Sequence, residues 1–150
     1  MYQRILFPTD GGPATGDIAA HVTSLATYYD ATVHVLSVAD TRNRFEGPNM
    51  GLGAEAWDDA QHEQAQQAVA DAVDALADSV PVSRQIESGI PHSAILDYAH
   101  TADIDVIVMG THGRTGIDHY LIGSIAERIV RNAPMPVLTV GPTNGTTDAS

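Results

Sequence analysis

The chain has 150 residues, 43% of them apolar, the size of one domain that buries about 68–70% of its unfolded surface. Acidic residues number 19 against 7 basic ones, a net charge of −12; every basic residue is arginine, and lysine and cysteine are absent. This excludes mechanisms built on lysine, such as a Walker phosphate loop or a pyridoxal Schiff base, together with disulfides, thiol catalysis and cysteine-zinc sites, and it argues against DNA, RNA or anionic membranes as partners.

Apolar periodicity alternates between short runs and longer helical patterns, in the order β-α-β-α-β-α-β-α-β. Ile5-Leu6-Phe7 opens the series, and a helix over 14–29 follows, with Pro13 expected in its first turn. Val33 to Val38 is the second strand. The helix over 54–79 carries Ala65, Ala68, Val69, Ala72, Val73, Leu76 and Val80 on one face and Asp71, Asp74 and Asp78 on the other. Residues 82–88 alternate without a continuous apolar run, the pattern of a half-exposed edge strand. A helix over 92–101 behind Pro91, a strand from Ile104 to Met109, a helix over 123–132 and a strand from Val137 to Val140 complete the chain. Strands alternating with helices imply right-handed crossovers onto one open parallel sheet with helices on both faces, a Rossmann-like α/β domain. Residues 1–141 are expected to form that domain and 142–150 a flexible polar tail.

In such a sheet, ligands bind outside the carboxyl ends of the strands. The first strand ends in Phe7-Pro8-Thr9-Asp10-Gly11-Gly12, and the fourth runs into Gly110-Thr111-His112-Gly113-Arg114-Thr115-Gly116, with Gly123-Ser124 at the start of the next helix. Glycines allow close backbone approach, helix-start N–H groups point outward and Ser124 adds a donor, which outlines an anion site. Asp10 could otherwise cap the helix after Pro13. Arg128 and Arg131 read as surface charges, with Glu127 as one possible partner.

The spacing Gly110, two residues, Gly113, nine residues, Gly123-Ser124 fits G-x2-G-x9-G-[ST], and in this the chain resembles the universal stress protein family. Arg4-Ile5-Leu6-Phe7-Pro8-Thr9-Asp10 resembles the family's opening strand, and the stretch from Gly110 through Pro134-Met135-Pro136-Val137-Leu138 resembles its closing half. The resemblance implies a five-stranded parallel sheet in order 3-2-1-4-5, a homodimer through strand 137–140, and bound ATP, with Mg2+ as its companion ion. It also implies positions. Pro8, Thr9 and Asp10 would lie beside the adenosine, the Val38 backbone would read the adenine edge, and Met109 and Gly110 would line the nucleoside. Gly113, Arg114, Gly123, Ser124 and Ile125 would surround the triphosphate. Many members place a serine within two residues of the aspartate; this chain has Gly11-Gly12-Pro13, so backbone N–H groups must substitute for that hydroxyl.

Gly51-Leu52-Gly53-Ala54-Glu55-Ala56 imitates a dinucleotide fingerprint but does not follow its strand directly. The histidines show no zincin spacing. The expected function is an adenine-nucleotide binding module acting as a stress-response regulator, with protein partners unknown. A slow ATPase or phosphotransferase using His112 or Asp10, and a nucleotide-free dimeric interaction protein, are the alternatives. Phosphoryl transfer wants a water-orienting base and cationic γ-phosphate stabilisation, and the loop offers a single arginine. Abundant aspartate without lysine suits a protein working in molar salt, where hydrated carboxylates keep it soluble; a halophilic archaeal source is expected. No apolar run approaches the roughly 18–20 residues of a membrane helix, and Met1-Tyr2-Gln3-Arg4 leads into a strand pattern, so a cytoplasmic location is expected.

Overall fold

The first apolar run, Ile5-Leu6-Phe7, is fully buried because both faces of its strand are covered by helices. The structure, a computed structural model, describes residues 1–41, 53–111 and 123–141. Its elements are β1 (Arg4–Pro8), α1 (Thr15–Tyr29), β2 (Thr32–Asp40), α2 (Gly53–Ala75), β3 (Val82–Gly89), α3 (Pro91–Thr101), β4 (Val106–Gly110), α4 (Ser124–Asn132) and β5 (Val137–Val140). The strands form one five-stranded sheet in order β3-β2-β1-β4-β5, and every pairing is parallel.

The two-residue period of a strand divides the core in two. Ile5, Phe7, Val33 and Val35 face α1 and α2, packing on Ile18, Val22, Val69, Ala72 and Leu76. Leu6, Leu36, Ile107 and Met109 face α3 and α4, packing on Ile95, Ala99, Ala126 and Ile129. The small-residue stripe of α2 is buried as its spacing predicts, and Asp71, Asp74 and Asp78 are exposed. β3 lies at one edge, its Val82 and Ile86 half-buried and its Arg84 and Glu87 exposed.

Several boundaries differ from the sequence reading. Helix α1 begins at Thr15 behind Ala14, so Pro13 stands in the preceding turn; there both the N–H and the Oγ1 of Thr15 donate to the Gly12 carbonyl, at 3.1 and 2.7 Å. Helix α2 ends at Ala75, short of 79, because the Leu76 N–H turns to the Val73 carbonyl at 3.1 Å and the Ala77 N–H is taken by Thr23 Oγ1 at 3.3 Å. Ile104 is buried but precedes β4, its N–H closing the end of α3 on the Ala99 carbonyl at 3.0 Å. β2 runs on through Asp40. Residues 42–52, between β2 and α2, and the 142–150 tail lie outside the described residues. No helix among the described residues is long and apolar enough to cross a membrane.

Two mismatches in strand length open a crevice at the carboxyl edge. β1 ends at Pro8 opposite Leu36, whereas β2 continues to Asp40 with only β3 beside it. On the other side, β1 and β4 pair only at Ile5 with Val106 and Leu6 with Ile107. The crevice therefore sits where the winding reverses, between β1 and β4.

Candidate functional site

A cavity of about 380 Å³ occupies this crevice, within the usual range for small-molecule pockets. One wall comes from β2 and the turn after β1. In β2, Thr32 N–H donates to the Gln3 carbonyl and the Leu36 carbonyl accepts from Thr9 N–H, whereas Val33 and Thr41 donate to Pro81 and Gly89 on the β3 side. Even-numbered residues of β2 thus address β1, and odd-numbered ones β3. Val38 is even-numbered and β1 has no residue opposite it, so its N–H and C=O are directed at the crevice.

The turn from Thr9 to Gly12 is tied by its own side chains. Thr9 Oγ1 accepts the Gly11 N–H and Asp10 Oδ1 accepts the Gly12 N–H, each at 3.1 Å. The expectation that these backbone N–H groups replace a missing serine hydroxyl therefore meets two donors already engaged. Nor does Asp10 cap α1: the N-cap is Ala14, with no side-chain cap bond. Gly11 adopts φ +81°, and a Cβ there would stand 3.4 Å from the Ala68 Cβ, so the turn lies directly against α2.

The opposite wall is the start of α4. Gly123 is its N-cap in extended conformation, without a side-chain cap; its N–H donates to the Thr111 carbonyl at 2.6 Å, tying the start of α4 to the end of β4. The first helical bond runs from the Glu127 N–H to the Gly123 carbonyl at 2.9 Å. The N–H groups of Ser124, Ile125 and Ala126 therefore have no intrahelical acceptor and carry the positive end of the helix dipole. Ser124 is exposed and Ala126 buried.

Of the positions singled out in the sequence, Pro8, Thr9, Asp10, Val38, Met109, Gly110, Gly123, Ser124 and Ile125 all line this one cavity. Gly113, Arg114 and His112 lie outside the described residues. The cavity is also lined by Asp40 at the end of β2, by Gln61 and Gln64 of α2, and by Ile95 of α3; none of these carries a local motif. The charged side chains among its described lining residues are Asp10 and Asp40, both acidic. Arg131 pairs with Glu127 at 3.0 Å on the exposed side of α4, and no cluster of three or more metal-ligating side chains occurs among the described residues.

The lining is chemically divided. Leu36, Val38, Ile95 and Met109 offer apolar surface of the kind that holds a flat aromatic ring. The α4 start offers backbone donors suited to an anion. The two carboxylates belong to the β1 and β2 side, so an anionic group is favoured at the α4 end and disfavoured at the other. These residues fit a nucleotide lying across the sheet edge.

The family model for the universal stress protein family matches residues 1–141. Universal stress protein MJ0531 of Methanocaldococcus jannaschii is 35% identical over 146 residues, covering 93% of this chain and 82% of its own. Universal stress protein UspA from Lactobacillus plantarum overlays with a TM-score of 0.76 at 25% identity, covering 93% of this chain and 97% of its own. MJ0577, also of M. jannaschii, overlays at 0.73 with 29% identity over 96% of this chain and 99% of its own. Two structures of the same fold at lower identity are complexes: a universal stress protein with cAMP (TM-score 0.70, 20% identity) and one from Archaeoglobus fulgidus with dAMP (0.58, 16%). A family model spanning nearly the whole chain, and a relative alike at more than a third of aligned positions, lead to one conclusion: this chain belongs to the universal stress protein family.

Proposed function

We propose that the protein is an adenine-nucleotide receptor, with ATP as its ligand, acting as a binding module in a stress response. The observation that carries this reading is the pairing of two unlike ends in one cavity: the Val38 backbone donor and acceptor on one side, and the uncapped start of α4 on the other. One N–H and one C=O in succession complement the N1 acceptor and N6 donor of adenine. In this reading Asp10 accepts from ribose hydroxyls, and the N–H groups of Ser124 and Ile125 with the Ser124 hydroxyl meet the phosphates. In this reading Gly113 and Arg114 complete the phosphate end. The adenine nucleotides carried by the two complexes of the same fold support the ligand class. Magnesium arriving with ATP takes mostly phosphate and water oxygens as ligands.

The reading is of retention without efficient turnover, since a chain without lysine has few ways to neutralise a γ-phosphate in transfer. In this reading ATP occupancy sets a surface that partners read. Among the described residues β5 has β4 on one side only and presents Leu138 at 42% exposure, so pairing with a second copy would cover that edge and form the homodimer. The aspartate-rich, lysine-free composition supports a halophilic archaeal origin and work in a salt-rich cytoplasm. Mass spectrometry of small molecules released when freshly purified protein is denatured tests the function. ATP in near-stoichiometric amount supports it, and protein free of nucleotide that also fails to take up ATP refutes it.

A further inference from the structure

Alternation along β2 sets Val33, Val35 and Ser37 in one row on the sheet face that α1 and α2 cover. Val33 and Val35 are fully buried in that core. Ser37 stands one step further, past Phe7, which pairs opposite Val35, and so enters the cavity, whose lining on this face includes Ile18 of α1 and Ala65 of α2. It is the buried polar residue among those described, at 3% exposure, and none of them gives its hydroxyl a hydrogen-bond partner. The Thr15 hydroxyl, also in the lining, is by contrast spent on the Gly12 carbonyl at 2.7 Å. An alanine or valine would continue the row without withholding a hydroxyl from water. The Ser37 hydroxyl therefore calls for a partner that enters through the cavity.

We infer that Ser37 is a further binding residue of this site, whose Oγ–H donates to N3 of the adenine ring. The inference rests on the nucleotide reading above. In β2 the Val38 N–H stands nearer Ser37, and the Val38 carbonyl nearer Ala39. Placing N1 on the N–H and N6 on the carbonyl turns C2 and N3 back toward Ser37 and N7 forward toward Asp40. N3 is an acceptor, and a serine hydroxyl rotates to suit it. Two bonds on one edge leave the ring free to pivot about that edge. A third bond off the edge stops the pivot, leaning the base toward α1 and α2, where Ala65 presents only a methyl group, and so fixing the direction in which ribose leaves for α4. Guanine shares N3, so this contact sets the pose and leaves the choice of base to Val38.

The test is calorimetric titration of ATP and of 3-deaza-ATP, in which C–H replaces N3, into wild type and Ser37→Ala at pH 8 in molar KCl. Wild type should bind 3-deaza-ATP about fivefold to tenfold more weakly than ATP, the scale of one hydrogen bond. Ser37→Ala, with an unchanged far-UV spectrum, should bind the two alike and ATP more weakly than wild type by about the same factor. If that variant does not fold, the wild-type ratio still decides: 3-deaza-ATP held as tightly as ATP overturns the contact. A folded Ser37→Ala that keeps the wild-type preference for ATP over 3-deaza-ATP also overturns it, while leaving the nucleotide reading intact. Absence of ATP binding in wild type overturns that reading itself.

Discussion

The Thr9 N–H donates to the Leu36 carbonyl at 2.9 Å, and past that bond β2 runs on without β1 beside it. The bond marks the floor of the cavity. Its position depends on the turn that carries β1 away, and that turn needs Gly11 at φ +81°, a conformation that side chains other than glycine rarely adopt. Gly11→Ala should lower the unfolding free energy by about 1 kcal/mol, read as an earlier urea midpoint at fixed salt, and should weaken ATP binding in parallel.

At the opposite end of the sheet, Asp105 holds β1 and β4 together. Its Oδ2 accepts from the N–H groups of Gln3 and Arg4, at 2.9 and 3.0 Å, while its own N–H donates to the Arg4 carbonyl at 2.9 Å. Asp105→Ala removes an ionised acceptor from two backbone donors in a half-exposed place. A loss of about 1–2 kcal/mol follows, with ATP affinity unchanged because the residue is at the far end of the strands.

His34 Nδ1 and Tyr98 Oη lie 2.7 Å apart between β2 and α3, both half-buried. Burial, and then the nearby Arg4 guanidinium, push the His34 imidazole below its ordinary value of 6.5. Burial, followed by the charge of Glu87, raises the Tyr98 phenol. The native protein thus binds a proton at His34 less readily than the unfolded chain. This contribution to stability is complete above about pH 6.5 and is lost as pH falls from there through the lower native value. Denaturant midpoints measured from pH 8 downward should fall over this range, and His34→Gln should flatten that part of the profile.

Much of this architecture is legible along the chain. β5 coincides with the apolar run between Pro136 and Gly141, and the inward face of α2 with its alanine and valine spacing. Gly12, Gly110, Gly123 and Ser124 are local signals, and these described residues meet in one cavity. What is not legible comes from pairing between distant segments. That Val38 addresses the crevice follows from β1 stopping opposite Leu36, a property of register that neither strand shows alone. Gln61 and Gln64 read as ordinary polar helix residues until the first turns of α2 are set over the end of β2. Asp40 reads as loop because the β3 edge that extends β2 lies more than forty residues away in sequence.

β5 supplies a separate test of assembly. Its residues from Val137 to Val140 pair with β4, and among the described residues no strand pairs with its other side. Thr139→Pro removes a backbone donor and disfavours continued pairing. If two copies join through this edge, the variant should elute as monomer on a sizing column where wild type elutes as dimer.

The two ends of the cavity can be watched together by amide 15N–1H spectra during titration with ATP and, separately, with adenosine. ATP should move the resonances of Val38 and of Ser124, Ile125 and Ala126 in one saturable transition, whereas adenosine should move Val38 and leave the α4 start nearly still. Saturable shifts confined to another surface, or none at either end, would contradict a nucleotide lying across this sheet edge.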